Sequence, residues 1–158
     1  MMRTTPLCPV LKANAFFFPP RYGRGHFFRE HYDWFDPVKD KQMGAIGNRK
    51  TSIFAYLVAQ CQGGTTVFPN VKRPQAQEWC DSGLLKCVDE NGENVEWLEV
   101  NPIEGVAIFW QNFNAEGVLD TNTLHAGADV LNGTKYGLNI WTREGRFRLN
   151  EFYEEDNE

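Results

Sequence analysis

From Phe27 onward the apolar residues alternate with polar ones or gather in short runs bounded by Gly, Asn, Asp and Pro. This period-two pattern predicts strands over residues 51–59, 66–68, 95–100, 106–110, 123–130 and 135–142. Asn91-Gly92 and Asn132-Gly133 are dipeptides that favour tight turns with positive φ, so a turn is expected at each. Residues 35–48 and 70–83 read as polar loops, the first a candidate lid and the second holding a short helix around 75–80. Residues 1–20 are proline-punctuated and irregular, and residues 149–158 form an acidic tail, which leaves 21–148 as the folded domain. There is no internal repeat. Short strands at this spacing predict an all-β sandwich or barrel.

Composition narrows that picture. With 42% hydrophobic and 14% aromatic residues over 158 positions, the chain can build one packed core and is not wholly disordered. The formal net charge of −5 argues against a duplex-binding protein, which normally presents a basic face to displace counterions. No apolar run approaches the roughly 20 residues of a membrane-spanning helix, and no signal-peptide pattern is visible. Four cysteines, Cys8, Cys61, Cys80 and Cys87, include no C-x-x-C pair, so a structural zinc ribbon is not expected. Cys80 and Cys87 either bridge across the loop between them or remain separate thiols.

Three histidines limit the chemistry: His26, His31 and His125. His31 and Asp33 stand two apart, the spacing that puts both side chains on one face of a strand. His125 lies on another expected strand and can complete a set of two imidazoles and one carboxylate. Such a set holds Fe(II) on one face and leaves positions open for other ligands. His26 is expected to be an ordinary surface histidine.

The order of motifs carries more than any one of them. Arg21-Tyr22-x-x-Gly25-x-x-Phe28-x-x-His31-x-Asp33 is followed by Arg49-x-x-Ser52-x-x-x-Tyr56-Leu57 and by Gly63-Gly64-Thr65-Thr66-Val67-Phe68-Pro69. Then come Gly105-Val106-Ala107-Ile108-Phe109-Trp110, Thr123-Leu124-His125-Ala126-Gly127, Val130, Gly133, Lys135 and Trp141. Over residues 21–143 this series resembles the prolyl 4-hydroxylase branch of the 2-oxoglutarate- and Fe(II)-dependent dioxygenases, and its details look most like fungal members. The resemblance implies a double-stranded β-helix (jelly roll) with short helical or loop segments, and iron held by His31, Asp33 and His125. It implies that Lys135 binds the distal carboxylate of 2-oxoglutarate, assisted by Tyr22 and Ser52. Substrate contacts are implied for Phe28, Trp141 and Arg143. The implied reaction consumes O2 and 2-oxoglutarate, releases succinate and CO2, uses L-ascorbate as reductant and hydroxylates a prolyl residue in a peptide or protein. The implied compartment is the endoplasmic reticulum.

Charge supports the lysine's role independently, because a buried carboxylate requires a cationic partner. Register adds a constraint: in a regular hairpin closed at Asn132-Gly133, His125 and Lys135 would face opposite ways. Both line one cavity only if their strands belong to facing sheets or a bulge intervenes. On the strand after the turn, Lys135, Gly137, Asn139 and Trp141 share a face, with Gly137 expected to leave room beside the lysine. Three features depart from the family pattern. Few residues precede Arg21, so the usual N-terminal part is expected to be lacking and a sheet edge uncovered. Phe28 stands where many relatives carry tyrosine, and Arg143 follows Trp141 where substrate contacts fall. The alternatives are a non-catalytic jelly-roll binding module and a dioxygenase of the same superfamily acting on another substrate.

Overall fold

The computed structural model describes residues 20–40 and 47–145. Eight strands run in the order β1 (Arg21–Gly23), β2 (Phe28–His31), β3 (Arg49–Gly63), β4 (Thr66–Lys72), β5 (Trp97–Val100), β6 (Ala107–Gln111), β7 (His125–Gly127) and β8 (Val130–Arg143). A short helix, α1 (Gln77–Asp81), lies between β4 and β5. The strands form two four-stranded sheets, ordered β1-β8-β3-β6 and β2-β7-β4-β5. All pairings are antiparallel, and the chain crosses from one sheet to the other at nearly every step. This is the expected double-stranded β-helix. No helix among the described residues is long and apolar enough to cross a membrane.

The core lies between the sheets and follows from the alternation along β3. Ser52, Phe54 and Tyr56 point inward and are buried, with less buried residues between them. Phe54, Tyr56, Phe68, Leu85, Val100 and Trp110 form one cluster. Phe54 meets Tyr56 edge-on at 5.2 Å and Phe68 meets Trp110 at 5.4 Å. Each such side chain contributes roughly 1.5–3 kcal/mol by leaving water. Tyr56 also ties the sheets together, because its hydroxyl lies 2.6 Å from Thr66 Oγ1 on β4. Burial pushes the Tyr56 phenol well above its ordinary value, so it remains a neutral hydrogen-bonding group.

Several expected elements change shape for identifiable reasons. The expected strand 123–130 is divided: a 3-10 turn occupies Thr121–Thr123, β7 is only Ala126 and its neighbours, and β8 begins at Val130 in the opposite sheet. The Asp120 side chain accepts from Asn122 N at the start of that turn and ends any extended pairing there. His125 and Lys135 are therefore on facing sheets, which meets the register constraint. No turn forms at Asn132-Gly133, which lies inside β8 opposite Gln62 and Cys61 of β3. Gly133 does adopt positive φ, but its purpose is close approach: a Cβ there would collide with the Gln60 carbonyl. Asn91-Gly92 does turn, with Gly92 at φ 80° and Asp89 Oδ1 accepting from Asn91 and Glu93 amides.

Strand β4 runs on to Lys72 through Pro69, and its pairing with β5 skips between Phe68 and Lys72, where the proline cannot donate. The loop after β4 carries the expected short helix, and Cys80 and Cys87 are joined with Cα atoms 5.8 Å apart. The irregular N-terminal segment other than Pro20, the acidic tail and positions 41–46 of the candidate lid lie outside the described residues.

Candidate active site

The metal-ligating candidates come from the shorter strands. His31 ends β2, and its cross-strand partner is His125, the first residue of β7. The two rings are 4.2 Å apart. Asp33 lies just beyond β2, past the strand end rather than on it, yet its carboxylate comes within 3.8 Å of His31 Nε2. One ligand atom from each of His31, Asp33 and His125 lies within 4.8 Å of the others. Strand ends bring these three together. His26 is exposed and outside the group.

Hydrogen bonds decide which nitrogen each ring offers. His31 Nδ1 is 2.8 Å from the Arg29 carbonyl and His125 Nδ1 is 2.9 Å from the Thr123 carbonyl. A carbonyl only accepts, so each Nδ1 carries a proton, and Nε2 is the nitrogen each ring can offer to a metal. Burial lowers the His125 basicity further, with the Asp33 charge opposing and His31 adding to it. Asp33 is 3% exposed, and its Oδ2 has no hydrogen-bond partner within the described residues. A buried carboxylate oxygen without a partner is expensive unless a cation meets it. Two imidazoles and one such carboxylate fit a divalent iron ion.

The other pole of the cavity is cationic. Lys135 is 1% exposed, and its ammonium donates to the Gly64 carbonyl. It lies over the rings of Tyr22, Tyr56 and Phe54 at 4.9, 5.7 and 5.8 Å. Burial pulls its pKa down to about 8. No described carboxylate pairs with it. Tyr22 is its cross-strand partner on β1. The ammonium would sit 4.0 Å from a Cβ at Gly127, so the bare glycine keeps the space between Lys135 and β7 open.

A cavity of about 540 Å³ joins these poles and is lined by His31, Asp33, His125, Lys135, Tyr22, Phe28, Trp141 and Arg143. Ser52 is not among its lining residues. It is fully enclosed, its hydroxyl accepts from Asn112 Nδ2 at 3.0 Å, and its cross-strand neighbours are Trp110 and Trp141. Thr66 holds the polar wall position instead, beside the Tyr56 hydroxyl. The room at Gly137 is taken by the Phe54 ring, which a Cβ there would strike. Arg49, Phe54, Thr66 and Asn139 also line the cavity, and residue spacing assigned none of them a role. For Arg49 a signal existed in its place three residues before Ser52, and for Asn139 in its shared face with Lys135.

Two facing antiparallel sheets with a histidine, an aspartate and a distal histidine in the cleft define a jelly-roll of the metal-dependent oxygenase kind. The profile of the 2OG-Fe(II) oxygenase superfamily matches residues 18–143, and the chain belongs to that superfamily. It is 31% identical over 122 residues to probable prolyl 4-hydroxylase 6 of Arabidopsis thaliana, covering 76% of this chain and 38% of that protein. To prolyl 4-hydroxylase subunit alpha-1 of Homo sapiens it is 32% identical over 126 residues, covering 78% and 19%. The chain thus spans about two fifths or less of the length of these relatives. Among solved structures it resembles the viral collagen prolyl hydroxylase of Paramecium Bursaria Chlorella virus-1, solved as a 2OG complex. That match has a TM-score of 0.55 and 24% identity, covers 84% and 62% of the two chains, and shows the shared fold.

Proposed function

We propose that this chain is the catalytic portion of an Fe(II)- and 2-oxoglutarate-dependent dioxygenase that hydroxylates a C–H bond, with a prolyl residue of a peptide or protein as its substrate. The observation that carries this reading is one cavity with a metal-ligating trio at one pole and an unpaired, buried lysine at the other. His31, Asp33 and His125 would hold the iron. Bound there, Fe(II) supplies the redox chemistry that couples decarboxylation of a 2-oxo acid by O2 to oxidation of a C–H bond. The similarity to prolyl 4-hydroxylases supports proline as the target.

The protein's own residues do the rest. The Nδ1 hydrogen bonds to Arg29 and Thr123 carbonyls fix both imidazoles with their Nε2 atoms free. Lys135 would neutralise a carboxylate that the iron cannot reach, with Tyr22 and Thr66 lining the same cavity. The rings of Phe54, Trp110 and Phe28 make part of the cavity wall apolar. The test is incubation of the full chain with Fe(II), 2-oxoglutarate, ascorbate and proline-containing peptides, read by mass spectrometry. Gain of one oxygen atom on proline with matching succinate is expected. Succinate with no proline oxidised across the panel would overturn the substrate assignment, and no succinate would overturn the enzyme assignment.

A further inference from the structure

The cavity holds more positive charge than a metal site with one dicarboxylic cosubstrate accounts for. Its lining includes three cations, Arg49, Lys135 and Arg143, and one acid, Asp33. Asp33 is the carboxylate the iron would claim. Arg49 and Arg143 are direct cross-strand partners on β3 and β8. Like charges placed directly opposite destabilise a sheet. Both guanidinium groups lean on the same Phe35 ring, at 4.9 and 5.3 Å, and Arg49 also stacks 3.8 Å from the Trp141 ring.

Among the described residues the one acid paired with either guanidinium is Asp33, which faces Arg49. Arg49 Nη1 donates to the Asp33 carbonyl at 3.1 Å and reaches the Asp33 carboxylate at 3.8 Å, and its Nε is buried without a partner. Arg143 Nη1 donates to the Gly47 carbonyl at 3.0 Å, and among the described residues no acidic side chain pairs with it. Both keep N–H groups free in a half-buried, aromatic-walled setting, where a carboxylate binds far better than in open water. The cosubstrate's distal carboxylate cannot be the one Arg143 takes while Lys135 holds it. Lys135 and Arg143 are eight residues apart on β8, about 26 Å along an extended strand, well beyond the span of a five-carbon diacid.

We propose that Arg49 and Arg143 form a carboxylate clamp for the substrate, so that the molecule oxidised carries an acidic group beside its reacting carbon. This inference rests on the proposed function only in taking the cavity as the substrate's place. Two sources supply the same chemistry: an Asp or Glu side chain next to the target residue, or the free carboxylate of a chain end.

The test measures peptide binding directly, by the change in tryptophan fluorescence of the full chain loaded with Fe(II) and 2-oxoglutarate without oxygen. The probes are short amidated peptides with Glu, Gln or Lys next to one proline, and a Gln peptide ending in a free carboxylate at the proline. The Glu peptide or the free-carboxylate peptide is expected to bind at least about tenfold tighter than the amidated Gln peptide, with the Lys peptide weakest, and the tighter arm names the source. Raising salt should shrink that preference. Arg143→Gln should abolish the preference, and Arg143→Lys should restore part of it, which a merely structural role for Arg143 would not do. Equal binding of all four peptides, or preference for Lys, would overturn the clamp even if succinate is produced. Absence of succinate with the preference intact would instead count against the dioxygenase reading alone.

Discussion

The two sheets divide the work unequally. β3 and β8, with 15 and 14 residues, pair along almost their whole length and carry Lys135, Phe54, Arg49 and Arg143. β2 and β7, with 4 and 3 residues, carry His31 and His125, and their register slips between Phe28 and His31. A long ladder holds a side chain by backbone alone. Short strands cannot, so the metal-ligating end is held by side chains instead. Trp34 Nε1 donates to the Asp120 carbonyl and Thr123 Oγ1, both at 3.2 Å, and Arg49 secures the Asp33 backbone. Thr123 in turn presents the carbonyl that orients His125. The difference teaches that the site's geometry depends on a few long-range side-chain bonds at one pole and on sheet regularity at the other.

The largest effect should come from removing a ligand at the weakly laddered pole. His125→Ala and Asp33→Ala should each reduce Fe(II) affinity by more than about a hundredfold, beyond the usual 10–100-fold for losing an outer partner. Calorimetric titration with Fe(II) under anaerobic conditions checks this. Next comes the other pole. Lys135→Met should raise the 2-oxoglutarate concentration needed for half-saturation at least about tenfold while Fe(II) still binds, since a buried carboxylate left without its cation is heavily penalised. The same lysine sets a pH dependence. With its pKa lowered to about 8, the charged form that attracts a dianion prevails below that pH, so affinity should fall as pH rises through 8. In Lys135→Arg that fall should move to much higher pH.

A smaller effect is expected for Trp34→Phe, which keeps the ring and removes the indole N–H. Fe(II) affinity should drop by about tenfold with little change in 2-oxoglutarate affinity, a split that equilibrium binding of each ligand can resolve. The smallest effect at the site belongs to Cys80→Ser. It should lower unfolding stability by about 2 kcal/mol in urea melts, through loop entropy, and leave Fe(II) affinity unchanged. A comparable loss of metal binding would show that the loop after β4 supports the site.

What could be read from the residues follows the same division. His31, Asp33 and His125 could be singled out as ligand candidates because histidine is rare in this chain and the two-residue spacing is distinctive, whereas Lys135 came from the family resemblance of the ordered motifs. An all-β sandwich or barrel was legible from alternation, which β3 keeps over its inward residues Ser52, Phe54 and Tyr56, and the family resemblance narrowed it to a jelly roll. Ser52 was misplaced because an inward-facing hydroxyl is not thereby in the cavity; Asn112, from a loop 60 residues away, caps it. Asn132-Gly133 was misread because the need for a bare Cα at Gly133 arises from the Gln60 carbonyl on another strand. The Arg49 and Arg143 pair escaped notice because cross-strand opposition depends on register, which has several slips between β3 and β8. Contacts made between distant segments were the ones out of reach.

The most direct test of the central claim is succinate formation from 2-oxoglutarate by the full chain with Fe(II) and O2 and no added substrate. The account predicts slow, Fe(II)-dependent succinate release that is lost in Asp33→Ala and needs much more 2-oxoglutarate in Lys135→Met. Succinate release that persists at the same rate in Asp33→Ala, or none from the unaltered chain with Fe(II) bound, would contradict it.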